Sequence, residues 1–337
     1  MSLLPYLHRV TLGSDLSPDE ARDAMGVLLE GGANEAEISG FLIALKMKGE
    51  TAHELAGFAR AMRDRMVVVD AGPDVIDTCG TGGDNSGTFN ISTAAAIVMA
   101  GAGAHVAKHG NRSISSPTGS ADVLEALGVR VALTPEEAAR AIREIGIGFL
   151  FAPAMHPAMK HAQAVRRALK TRTVFNLLGP LANPARANAQ LIGAPSPETA
   201  KLLADALAEL GTGRSFIVHG RDGLDEVTIT AGNDVYEIIG SKVIHLVWEP
   251  EDFGVERASL DSLKGGDSIC NAKIIKGIVS GADGPGRDIV LVNAAAGLLA
   301  DGLAADLRSG MDLATRAIDS GAAMARLELL KKNFPAA

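Results

Sequence analysis

A chain of 337 residues has room for one large domain or two modest ones with a sizeable core, and 47% hydrophobic against 21% charged residues excludes extended disorder. The formal charge of −8 excludes a general attraction to nucleic acid or to an anionic membrane, so any anionic ligand needs a local site. Cys79 and Cys270 are the only cysteines, which leaves neither a disulfide framework nor a cysteine zinc site and makes a reducing cytoplasm the simplest home.

Residues 1–9 lack a basic stretch followed by an apolar core and do not read as a secretory signal. Three helix starts follow: Ser17-Pro18-Asp19-Glu20 combines a cap, a proline at the first helical position and a glutamate reaching back, and Asn34…Glu37 and Thr51…Glu54 repeat the spacing. Ile38, Phe41, Leu42 and Leu45 fall at helical spacing, so the first 65 or so residues form a helical module whose surplus apolar surface suits self-association. From Val75 the pattern turns to short strands at 75–78, 105–107, 149–151, 190–192, 215–219, 227–230, 235–239 and 245–248. Helices at 91–101, 119–127, 134–145 and 197–210 lie between the earlier ones. That alternation predicts an α/β fold with a mainly parallel sheet covered by helices. Residues 156–178 are helical and polar, fit to return to the first module, and 289–332 read as two or three helices. The apolar runs 94–103 and 289–299 fall short of the roughly 20 residues a membrane span needs.

Gly80, Gly82, Gly83 and Gly87 precede a helix opened by Asn90 or Ser92, the geometry of a phosphate cradle, although a glycine turn is the plainer alternative. Neither the P-loop nor the dinucleotide fingerprint fits. A second polar cluster, 108–116, supplies a point charge in Lys108 and neutral donors in Asn111, Ser113, Ser115 and Ser116. Arg112 fits either a ligand contact or a structural partner, His109 alone is more often a hydrogen-bonded core histidine, and Ser120 is also simply a good helix starter. Both clusters follow a strand and precede a helix, where α/β sheets collect ligands, and together they suit a ligand with more than one phosphate. Asp225 and Glu226, by themselves an ordinary solvated pair, beside a diphosphate become candidate magnesium ligands with Ser92. Arg166 and Arg167 read as a solvated helix face, or as a fork for a carboxylate if one enters a cleft.

Together Gly80-Thr81-Gly82-Gly83-Asp84, Asn90-Ile91-Ser92-Thr93, Lys108-His109-Gly110-Asn111-Arg112, 119–128, 156–160, 172–184 and Asp225-Glu226 resemble the anthranilate phosphoribosyltransferase family, in family order and over most of the chain. The resemblance implies a small all-helical domain, 1–70 with a returning segment at about 157–185, beside a large α/β domain over the rest of 71–337, and a cytoplasmic homodimer joined through the small domains. It implies that Gly80, Gly83, Asp84, Thr88, Asn90, Ile91, Ser92, Thr93, Lys108, His109, Gly110, Asn111, Arg112, Ser113, Ile114, Ser115, Ser116 and Ser120 hold phosphoribosyl pyrophosphate. Anthranilate would meet Gly80, Asn111 and Arg166, with His109 and His156 nearby, and Mg2+ would meet Ser92, Asp225 and Glu226. The implied reaction displaces pyrophosphate from ribose C1 by the aromatic amine, in tryptophan biosynthesis, with no nucleic-acid or membrane partner. Lys170 departs from the family, which often has glycine there to end a helix. Two alternatives are a pyrimidine nucleoside phosphorylase, whose second motif differs from Lys108-His109-Gly110-Asn111, and a non-catalytic nucleic-acid-binding relative, which the acidic charge and the retained carboxylate pair disfavour.

Overall fold

Four helices open the chain: α1 (Leu4–Thr11), α2 (Pro18–Leu29), α3 (Glu35–Lys48) and α4 (Ala52–Arg65). The structure is a computed structural model and describes residues 2–72, 74–113 and 118–336. Helices α2 to α4 start at the expected capping boxes: Ser17, Asn34 and Thr51 each accept from the backbone N–H three residues on, and Glu20, Glu37 and Glu54 reach back. Glu54 is fully buried and, besides the return bond from Thr51 N at 2.9 Å, accepts from Leu16 N at 3.0 Å and from Lys48 Nζ at 2.9 Å. That network ties the chain entering α2 to the α3–α4 turn.

Seven strands follow: β1 (Ile76–Gly80), β2 (Val106–Gly110), β3 (Ile147–Phe151), β4 (Ala189–Gly193), β5 (Arg214–Gly220), β6 (Asn233–Ile239) and β7 (Lys242–Trp248). They form one sheet in the order β3-β2-β1-β4-β5-β6-β7, parallel through β5 and antiparallel at β6 and β7. Between and after them lie α5 (Ile91–Gly101), α6 (Ser120–Ala126), α7 (Pro135–Ile145), α8 (Ala152–Met155), α9 (Lys160–Leu169), α10 (Phe175–Leu181), α11 (Pro197–Leu210), α12 (Pro250–Phe253), α13 (Ser268–Val279), α14 (Pro285–Asp301), α15 (Leu307–Asp319) and α16 (Ala322–Asn333). The fold is therefore a small N-terminal helical body and a larger α/β body with a mostly parallel sheet. Among the described residues no helix is long and apolar enough to cross a membrane.

Strand alternation joins the two bodies. Phe216 and Val218 on one face of β5 enter the large core, while Ile217 on the other face packs with α11 and the opening helices. Ala162, Val165, Phe175 and Leu178, from α9 and α10, belong to that second core as well. Arg60 Nη2 on α4 donates to the Glu209 carbonyl at 3.0 Å, and Arg63 Nε to the Leu181 carbonyl at 2.8 Å.

Residues 227–230 and helix α13 depart from the sequence reading. Residues 227–230 form no strand, because side chains take the place of a neighbouring strand: Asn293 bonds both the N–H and the carbonyl of Val227, and Asn233 does the same for Thr228. Helix α13 was not anticipated; its cap, Asp267 accepting from Cys270 N at 2.8 Å, lacks the returning glutamate that marked the others.

Candidate functional site

The sheet order reverses at β1, whose chain proceeds to β2 and β3 on one side while β4 lies on the other. Crevices at such switch points, beyond the carboxyl ends of the strands, are where ligands bind in open α/β sheets. Register aligns Gly80 with Gly193 at this end. Neither residue has room for a side chain, since an added Cβ would stand 2.3 Å from Asp225 Oδ2 at Gly80 and 1.5 Å from the Asp225 carbonyl oxygen at Gly193. The loop after β5 therefore crosses directly over the ends of β1 and β4 and brings the carboxylate pair to the glycine loop.

Asp225 is buried, and its Oδ2 accepts from Gly82 N at 2.7 Å. Glu226 is half-buried, and its Oε1 accepts from Ser92 N at 3.2 Å, so it caps the first turn of α5. Asn90 stands at the N-cap position without capping; its Nδ2 donates to the Thr118 carbonyl at 3.2 Å and its Oδ1 accepts from Asn271. Lys108 is 2% exposed and donates to the Thr78 carbonyl at 2.6 Å and to Ser92 Oγ at 3.1 Å, so its charge lies behind the start of α5. Burial raises the Asp225 carboxyl to about 7, helped by Asp84, and burial with Asp225 beside it raises Glu226 to about 8. The two carboxylates are adjacent in the chain, and burial together with neighbouring carboxylates disfavours the charged form of each. Among the described residues no group of three or more His, Cys, Asp or Glu side chains is arranged to cage a metal. Asp225, Glu226 and the Ser92 hydroxyl make a partial oxygen set, which fits magnesium, whose remaining positions go to water and phosphate oxygens.

Arg172, at the start of the quoted 172–184 motif but given no role there, reaches the same loop. Its Nη2 donates to the Thr81 carbonyl at 3.2 Å, and its Nη1 occupies the space of an absent Gly83 Cβ, 1.9 Å from where that atom would stand. Thr88 bridges to Lys264, and Gly265 N donates to the Gly87 carbonyl at 2.9 Å, fastening the far side of the loop. Ile91 and Thr93 are buried in α5.

In the second cluster Arg112 is a structural partner in this structure, donating to Asp122 at 2.9 Å and to both Glu125 oxygens at 2.6 and 2.7 Å. Asn111 is exposed, Ser113 N donates to Asp122 at 3.2 Å, and Ser120 opens α6 with its hydroxyl donating to the Asn111 carbonyl at 3.3 Å. Ile114, Ser115 and Ser116 lie outside the described residues.

A cavity of about 300 Å³ opens between this strand end and helices α9 and α10; Gly80, Thr81, His109, Gly110, Asn111, His156, Arg166 and Asn176 are among its lining residues. Its polar equipment is unusual. Among the described residues Thr81 Oγ1, His109 Nε2 and His156 Nε2 are buried without a hydrogen-bond partner, and the two imidazoles lie 5.1 Å apart. Burial holds His109 near 4 and His156 near 3, so both are neutral at physiological pH. Arg166 is half-buried over the Phe175 ring at 5.2 Å, makes no ion pair among the described residues, and is pulled below its ordinary pKa by desolvation. Arg167 points to solvent.

A family model described as "Glycosyl transferase family, helical bundle domain" matches residues 4–66, and one described as "Glycosyl transferase family, a/b domain" matches 72–324. An anthranilate phosphoribosyltransferase of Solibacter usitatus is 59% identical over 333 residues, covering 98% of each chain, and one of Desulforamulus reducens is 51% identical over 325 residues, covering 96% of this chain and 94% of its own. Among solved structures, the anthranilate phosphoribosyltransferase of Thermus thermophilus superposes with a TM-score of 0.92 at 43% identity, covering 97% of this chain and 98% of its own. That of Saccharomyces cerevisiae, in complex with PRPP and Mg, superposes at 0.89 and 31%, covering 98% and 97%.

Proposed function

The chain belongs to the anthranilate phosphoribosyltransferase family of glycosyl transferases, and from that premise we propose that it transfers the phosphoribosyl group of phosphoribosyl pyrophosphate to the amine of anthranilate in a magnesium-dependent reaction. One observation carries the reading: Gly80 lines the cavity on one side and lets Asp225 approach on the other, so an aromatic acceptor and a diphosphate donor meet at a single backbone position.

In this reading the N–H groups of 80–93 and the donors of 108–120 hold the donor's phosphates, with Asp225, Glu226 and Ser92 as magnesium ligands. Magnesium, when bound, would neutralise charge on the departing pyrophosphate. Arg166 offers an unpaired guanidinium fork to the carboxylate of anthranilate, and the neutral His109 and His156 offer Nε2 to the ring's substituents without repelling its amine. That amine is weakly basic and already unprotonated at neutral pH, so positioning and electrostatics dominate over a dedicated general base. The small domain is taken as 1–70 with 157–185, and the homodimer as joined through it, where Leu12 and Met47 are each 83% exposed. A cytoplasmic home follows from the biosynthetic role.

Anthranilate fluorescence tests the activity directly. It should fall only with phosphoribosyl pyrophosphate and magnesium both present, and a signal that persists with both rejects the reading. In the same assay Arg166→Ala should raise the KM for anthranilate about tenfold or more while leaving that for phosphoribosyl pyrophosphate within about twofold; equal effects reject its placement. Light scattering checks the dimer, which a Met47→Glu chain should populate less.

A further inference from the structure

Helix α14 is buried throughout 289–300, and Asn293 is the single polar side chain in that stretch, with none of its surface exposed. A buried amide in an apolar helix is costly unless every polar atom is matched. Asn293 spends its amide on backbone alone. Its Oδ1 accepts from Val227 N at 3.0 Å, and its Nδ2 donates to the Val227 carbonyl at 2.8 Å and to the Ile289 carbonyl at 2.8 Å. The side chain thus treats Val227 as a neighbouring strand would, and only one orientation of the amide satisfies both Val227 groups.

Val227 follows Glu226 directly. Fixing its N–H and carbonyl fixes the peptide from which the Glu226 side chain departs. On the other side, the Asp225 carbonyl packs against Gly193 and its carboxylate is held by Gly82 N at 2.7 Å, while Asn233 clamps Thr228 beyond. Glu226 Oε1 also accepts from the Ser92 N–H at the start of α5, and among the holds on the loop's backbone Asn293 is the one that comes from a core helix rather than from other loops and strand ends.

We propose that Asn293 is a positioning residue for magnesium, setting the spacing of Asp225 and Glu226 through the Val227 peptide. The proposal rests on the reading of that pair as the metal carboxylates. Two oxygen ligands misplaced by a fraction of an ångström still bind protons, but they no longer suit an ion that demands near-ideal octahedral geometry.

The test uses the full chain with Mn2+ as a paramagnetic stand-in for magnesium and pyrophosphate as the phosphate ligand. Free Mn2+ is read by electron paramagnetic resonance for the wild type, Asn293→Ala and Asn293→Ser, all well below their melting temperatures. The expected result is Mn2+ binding weakened about tenfold or more in both variants, within the range for lost outer-shell partners. The magnesium concentration for half-maximal turnover rises in parallel, turnover recovers in excess magnesium, and the KM for anthranilate changes less than about twofold. A variant that melts lower but binds Mn2+ as the wild type does overturns the proposal and leaves a purely structural asparagine. The serine chain carries the test if the alanine chain does not fold. Wild type that binds no Mn2+ with pyrophosphate overturns the metal reading of Asp225 and Glu226, and this proposal with it, whereas unchanged variants overturn this proposal alone.

Discussion

Gly193 belongs to no recognisable motif, yet the site depends on its lack of a side chain. An alanine there would set its Cβ 1.5 Å from the Asp225 carbonyl oxygen, and the loop carrying Asp225 and Glu226 must then lift off the sheet. In the middle of an ordinary strand the same change is mildly favourable, because glycine loses more backbone entropy on folding. Gly193→Ala is therefore expected to lower kcat/KM about a hundredfold, the usual cost of a displacement near 1 Å at reacting groups, with circular dichroism unchanged. Near-normal turnover would show that the loop accommodates the methyl group. The contrast with Gly80 shows what a sequence reveals at this scale. Gly80 was legible because other glycines and a helix start follow it closely, whereas the crowding at Gly193 comes from a residue 32 positions away. Arg172 and Asn293 were missed for the same reason, since each acts on a loop remote in the chain. Lys108 was read as a phosphate contact from its charge, and its burial against Thr78 and Ser92 depends on packing that charge alone does not convey.

Helix α9 ends at Lys170 in the left-handed conformation, φ 47° and ψ 30°, where the family often places glycine. A side chain costs roughly 1–2 kcal/mol there, partly offset by the smaller entropy that a non-glycine residue loses on folding. Lys170→Gly is expected to stabilise the chain by about 0.5–1 kcal/mol, read as a higher urea midpoint at constant slope; a lower midpoint would mean that the lysine side chain holds the turn. Termination thus survives the substitution, because the backbone still adopts the conformation glycine would take. Elements with local chemistry were the legible ones. The boxes at Ser17, Asn34, Thr51 and Thr134 each start a helix in the expected place, and helices 91–101 and 197–210 match their anticipated bounds. The strand expected at 227–230 carries the right β-branched pattern, but the backbone partners of Val227 and Thr228 are two asparagine side chains rather than a strand, and no local pattern encodes that.

Buried titratable groups near the cavity make the stability of the whole molecule depend on pH in two opposing senses. His109 and His156 have folded pKa values of about 4 and about 3, below the ordinary 6.5, so below pH 6.5 the unfolded chain takes up protons that the folded chain refuses. Their contribution is complete above pH 6.5 and is lost as pH falls toward those values. Asp77, fully buried and raised to about 6 by desolvation, acts the other way and favours the folded state as pH falls from 6 toward 3.8. A His109→Asn, His156→Asn chain should therefore lose less stability between pH 7 and pH 5 than the wild type, measured as the shift in urea midpoint; equal shifts would mean that neither histidine is held neutral. The core that joins α1–α4 to α9, α10 and α11 has a different consequence, one for synthesis. Phe41, Phe58 and Leu55 are fully buried and share one core with Phe175, Leu203 and Leu207. At about 5–20 residues per second, the opening helices emerge on the order of ten seconds before the residues that cover them. Throughout that interval the nascent chain lacks part of the core that its aromatic residues share, so chaperone capture and the local rate of translation bear on its yield alongside final stability.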